Sequence, residues 1–160
     1  MKLLSRFLSW EKTIVFSIIV LLILNVFSFY GLYTNKFYFF KIDNYIFPVL
    51  TLIHFTFLYA LRFKIMEDEI ADPQMRNLEY TLYVIVILYL YKLVDTVMIL
   101  MSYGDFESHV IPATFIPIGI LIVVLYVILL FLTVTSFSHR KTIVGAYNFN
   151  RINDEIDSWD

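Results

Sequence analysis

Residues 112–137 read PATFIPIGILIVVLYVILLFLTVTSF, a run without one Asp, Glu, Lys or Arg. At about 1.5 Å of rise per residue, a helix over this stretch is longer than the ~30 Å hydrocarbon core of a bilayer. The run therefore predicts a membrane-spanning helix, and three others precede it. Residues 78–101 (LEYTLYVIVILYLYKLVDTVMILM), 45–63 (YIFPVLTLIHFTFLYALRF) and 13–33 (TIVFSIIVLLILNVFSFYGLY) are each apolar over enough length to cross. The expected fold class is all-α, a four-helix transmembrane bundle over residues 1–137, followed by a tail over 138–160.

Composition agrees with the runs. Of 160 residues, 60% are hydrophobic and 16% charged, and mean hydropathy is +0.76, outside the range of soluble globular domains. The 12 Lys and Arg against 14 Asp and Glu leave no basic excess for neutralising phosphates, so nucleic acid is not an expected partner. Cysteine is absent, which removes disulfides, thiolate metal sites and cysteine nucleophiles. Sixteen Phe and 12 Tyr beside 4 Gly and 4 Pro are the usage of an AT-rich coding sequence. That points to a low-GC bacterium and to its inner membrane.

The segments between the runs carry the signals of their ends. The first run closes on Phe29, Tyr30, Gly31, Leu32 and Tyr33 with no small-residue cleavage site, which predicts a retained span rather than a signal peptide. The connector TNKFYFFK suits an aromatic loop in the headgroup zone. Pro48 falls in the first turn of the second span, where a missing N–H costs little. Asp72 followed by Pro73 predicts an N-cap with proline at the first helical position, so the third helix starts ahead of its apolar stretch. In the tail, Phe149, Ile152, Ile156 and Trp159 share one face at helical spacing, which predicts a short amphipathic segment lying on the membrane or on a partner.

Orientation follows from the basic residues, which concentrate on the cytoplasmic side. Lys2, Arg6 and Lys12, then Arg62, Lys64 and Arg76, then Arg140, Lys141 and Arg151 occupy the two termini and the middle loop. The other two loops hold Lys36 and Lys41. Nine against two predicts both termini inside.

The third run contains the sharpest functional signal. Lys92 and Asp95 stand three residues apart on one face of an otherwise apolar helix, where each charge costs ~2.5–3.5 kcal/mol at the centre. Lysine ahead of the acid is the weaker order for pairing within one helix, which favours partners elsewhere. Counted along the spans, Lys92 lies ~21 Å and Asp95 ~25 Å from the cytoplasmic entry, Asn25 ~18 Å from it, and His54 ~13 Å from the outer boundary. These side chains, with Tyr91 and Thr96 beside them, form a predicted polar layer in the outer half of the membrane. Such a layer serves as interhelical glue, as a pathway, as a ligand-binding site, or as a docking charge for another subunit.

Weaker patterns carry less. Asp105, Glu107 and His109 alternate as weak candidate metal ligands on an outer loop, but a solvated turn is the ordinary explanation and no metal is expected. Glu67, Asp68, Glu69 and Asp72 form an acidic inner loop with basic neighbours, best explained as a solvated face. The three histidines fall at different depths, which excludes a bis-histidine haem. Neither a glycine-rich phosphate loop nor a zinc-binding HExxH helix occurs. No cofactor and no enzymatic activity are expected. The expected partners are the lipid bilayer and another membrane protein or a second copy. The leading function is a non-enzymatic accessory or assembly subunit of a membrane complex. The alternative is a homo-oligomeric pore or small transporter, for example a membrane-depolarising bacterial effector, lined by Asn25, His54, Lys92 and Asp95.

Overall fold

The computed structural model describes residues 8–106 and 111–147. Among them, four helices are long and apolar enough to cross a membrane. They are α1 (Trp10–Phe27), α2 (Ile46–Met66), α3 (Pro73–Met101) and α4 (Phe115–His139). Successive helices run antiparallel, each packs against the next, and α4 closes the ring against α1. The core is apolar, but so is the outside. Leu52, Ile87 and Met98 all lie outward and exposed, and only 17% of the most apolar stretch of α3 is buried within the bundle. Apolar area on that scale requires an apolar surrounding.

The first helix is shorter than its sequence suggests. The apolar run continues to Tyr33, yet α1 ends at Phe27 and the chain turns into a hairpin, β1 (Tyr30–Gly31) pairing antiparallel with β2 (Lys36–Phe37). Local contacts accompany the break. Ser28 Oγ donates to the Asn25 carbonyl at 2.8 Å, and Asn35 takes φ 53°, a left-handed conformation that asparagine tolerates. Gly31 sits against the Tyr38 ring and Thr34 Oγ1, where a β-carbon would collide with both. The hairpin then docks across one end of the bundle. Tyr33 Oη lies 2.7 Å from Ser102 Oγ after α3, and its ring lies 5.2 Å from that of Phe115 in α4. A 3₁₀ turn, Ile42–Tyr45, leads into α2.

At the opposite end, Asp72 and Pro73 act as their pairing predicts. Asp72 Oδ1 accepts from the Met75 N–H at 2.7 Å, with Pro73 as the first residue of α3. Lys64, from the last turn of α2, bridges Asp72 Oδ2 at 2.8 Å and Glu69 Oε2 at 2.6 Å. The acidic loop is thus tied to the bundle at these two carboxylates. The last helix continues past Phe137 to His139 and then into a π-helical turn, Arg140–Val144, which ends at Gly145 with φ 96°.

The Asp72 cap yields a pH test. Partial burial pushes its carboxyl up, but the hydrogen bond and charge of Lys64 and the Met75 N–H outweigh that and hold it below the usual carboxylate range. A depressed folded value contributes stability above the unfolded carboxylate pKa of ~3.9, lost as pH falls through the lower folded value. Asp72→Ala is expected to cost about 1 kcal/mol, the size of a lost N-cap. Unfolding in detergent should show that gap constant from about pH 5 to 8 and closing below about pH 4.

Candidate functional site

Two polar centres occupy opposite ends of the bundle. The first is a cavity of about 270 Å³ beneath the hairpin, with walls from all four helices and from the hairpin itself. Its polar lining includes Lys92, Asp95 and Thr96 of α3, Asp43 and Asn44 ahead of α2, Ser28 after α1 and Tyr126 of α4. Lys92 is exposed and Asp95 half-buried, so the cavity is reached from outside. Side chains at i and i+3 on a helix stand about 5–6 Å apart at Cβ, close enough to pair. Yet among the described residues Lys92 and Asp95 form no ion pair with each other or with another side chain. Asp43, also in the wall, is 3.8 Å from Lys41.

The floor of this cavity is aromatic. Phe47 and Tyr126 line it and meet edge-on with centroids 5.9 Å apart. Phe47 also lies 5.6 Å from Tyr89, one turn below Lys92 on α3. Beneath Tyr89 is His54, 0% exposed, its Nδ1 3.3 Å from Tyr89 Oη and its Nε2 without a partner among the described residues. Asn25 half-emerges from α1 and accepts from Thr51 of α2 at 3.5 Å. The predicted polar layer therefore divides. Lys92, Asp95 and Thr96 share the cavity, His54 and Asn25 link neighbouring helices below and beside it, and Tyr91 points outward at 63% exposure, away from the others.

The second centre surrounds Glu79 of α3, which is 1% exposed. Arg140 Nη2 donates to Glu79 Oε1 at 2.8 Å, and Arg140 Nε lies 2.6 Å from Oε2, in ion-pair contact although its N–H is not aimed for a hydrogen bond. Tyr83 Oη donates to Oε1 and Tyr147 Oη to Oε2, each at 2.5 Å. Arg140 Nη1 donates to the Gly145 carbonyl at 3.0 Å, and the guanidinium carbon stands 4.4 Å from the centre of the Tyr147 ring. Burial and the hydrogen bond to Glu79 push the Tyr147 phenol well above its usual value, so it remains a donor at physiological pH. This cluster locks residues 140–147 onto α3. Sequence reading placed Arg140 among the basic tail residues and passed over Glu79. The signal was present: an acid immediately inside the predicted entry of the third span demands a partner.

The remaining predicted residues do not join either centre. Asp105 ends an exposed 3₁₀ turn, Ser102–Asp105, whereas Glu107 and His109 lie outside the described residues. Among the described residues no three His, Asp or Glu side chains converge on a common point. Phe149, Ile152, Ile156 and Trp159 also lie outside the described residues.

The fold and its two centres define an all-α bundle of four helices long and apolar enough to cross a membrane, with a charged cavity at one end and a buried ion-pair lock at the other. No protein-family model, curated protein or solved structure matches the chain.

The lock makes its own prediction. Removing one partner of a buried ion pair leaves the other charge uncompensated, at a cost of about 3–5 kcal/mol. Glu79→Gln and Arg140→Met should each destabilise the protein by that order, read by denaturant unfolding in detergent. The double variant should recover a large part of the loss. Independent, additive losses would show that the two side chains do not act as a pair.

Proposed function

We infer that the chain is a membrane-embedded, non-enzymatic accessory or assembly subunit, with both termini in the cytoplasm, that presents its C-terminal tail to a larger protein. The observation that carries this reading is the Glu79 lock. Arg140 and Tyr147 both bond Glu79, so the chain is held on α3 up to the residue that precedes 148–160. A segment with an apolar stripe of Phe149, Ile152, Ile156 and Trp159 gains affinity for a partner when its point of departure is held, because less freedom is lost on docking. The excess of Lys and Arg at the termini and the middle loop supports the orientation, and the exposed apolar faces support insertion in a bilayer.

The second reading, a homo-oligomeric pore, draws on Lys92, which is exposed on an apolar helix and unpaired among the described residues. A ring of copies would gather these charges. The aromatic floor of Phe47, Tyr89 and Tyr126 sits below the cavity of a single chain, so the pathway would run between copies.

Gentle extraction from the native membrane separates the two. The accessory reading expects a stoichiometric complex with a larger, different protein, and truncation after Tyr147, which spares the lock, should release it. A homogeneous ring of this chain alone would overturn that reading. Ion flux through liposomes that is lost in Lys92→Leu and Asp95→Leu would then establish the pore.

A further inference from the structure

We propose that the cavity beneath the hairpin is a binding site for a small zwitterion carrying a primary ammonium and an anionic group, either a free amino acid-like molecule or the headgroup of an aminophospholipid. The inference goes beyond the assembly role, which rests on the opposite end of the molecule. It starts from charge. Three charged side chains line the cavity: Asp43 has Lys41 beside it at 3.8 Å, whereas among the described residues neither Lys92 nor Asp95 is neutralised by a side chain. A cationic ligand would meet Lys92 and an anionic one Asp95, each at the cost of like-charge repulsion. An apolar ligand would strip both of water with nothing in exchange. A molecule with both charges satisfies the two together.

The hydroxyls in the wall specify which end goes where. Ser28 Oγ already donates to the Asn25 carbonyl and Thr96 Oγ1 to the Lys92 carbonyl, each at 2.8 Å. Asn44 Nδ2 gives one of its two N–H groups to the Tyr38 carbonyl at 2.8 Å. With their protons engaged, the two hydroxyls offer the cavity lone pairs, and Asn44 retains an unengaged amide oxygen. Together with Asp95 they are acceptors, and a primary ammonium supplies three donors. Lys92 is the cation for the anionic end. A quaternary ammonium has no N–H to give and is disfavoured at such a site. The cavity, about 270 Å³, lies just under the ~300 Å³ lower bound of pockets that hold drug-sized ligands, which suits a headgroup-sized molecule.

The test uses the full-length protein in phosphatidylcholine nanodiscs, titrated calorimetrically with O-phosphoethanolamine, alanine and phosphocholine. In parallel, native mass spectrometry reads the lipids retained from an equal mixture of phosphatidylethanolamine and phosphatidylcholine. Binding of O-phosphoethanolamine or alanine, at least tenfold tighter than phosphocholine, supports a soluble zwitterion. Selective retention of phosphatidylethanolamine without soluble binding supports the lipid headgroup. In either case Asp95→Asn and Lys92→Met should each weaken binding at least tenfold while leaving the unfolding midpoint close to wild type, because neither side chain is part of an ion pair. Should those variants fail to fold, Thr96→Val, which removes one of the acceptor hydroxyls at nearly unchanged volume, replaces them, with binding expected to weaken severalfold. Absence of binding to every probe, equal affinity for phosphocholine, or binding unchanged in the variants overturns the proposal.

Discussion

A carboxylate buried to 1% exposure has to be neutralised by its surroundings, and Glu79 organises one end of this molecule around that requirement. Its two oxygens face two phenols and the Nε–Nη2 edge of one guanidinium. To reach it, Arg140 must remain on the bundle, so the chain stays helical past Phe137 and changes to a π-helical turn before Gly145 releases it at φ 96°. Tyr147 returns over the guanidinium and closes the network. The interaction joins residues 61 positions apart and fixes both the last helix and the first residues after it. Nearby, His139 Nε2 lies 3.3 Å from Thr13 Oγ1, linking that same end of α4 to the start of α1.

How far the sequence revealed this depends on whether the deciding interactions are local. The four apolar runs are local and unmistakable, and Asp72–Pro73 marks a helix start by chemistry contained in a few residues. The end of α1 was not legible in the same way. Hydropathy runs smoothly through Phe29, Tyr30 and Leu32, and what breaks the helix is the packing of Tyr38 on Gly31 and of Tyr33 against α3 and α4. The Glu79 lock escaped for a similar reason. A basic residue at a span end reads as a solvated anchor until the fold shows an acid buried opposite it.

The polar layer shows a different limit. Depth along a helix can be counted from sequence, but rotation about its axis is set by neighbours. Lys92, Asp95 and Thr96 lie within one turn or so of α3 and reach the cavity together, whereas Tyr91, one residue from Lys92, is turned outward. His54 has a compatible depth, yet it finds Tyr89 and remains beneath the floor. Asn25 finds Thr51 instead.

Glu79 with Arg140 and Lys92 with Asp95 set two arrangements of the same chemistry side by side. Glu79 and Arg140 are buried, in bidentate contact and further satisfied by phenols and a backbone carbonyl, so no polar atom of the carboxylate remains for a ligand. Lys92 and Asp95 stand closer in sequence and could pair at little conformational cost, but they face an open cavity apart. An ion pair that stabilises a bundle is expected to be closed, as the first is. Charges kept separate beside a cavity, with the neighbouring hydroxyl protons turned toward backbone carbonyls, add nothing to the bundle's stability through each other, and this contrast is what supports the proposed ligand site. The molecule is therefore asymmetric along its axis: sealed around Glu79 at one end, open and lined by unpaired charges beneath the hairpin.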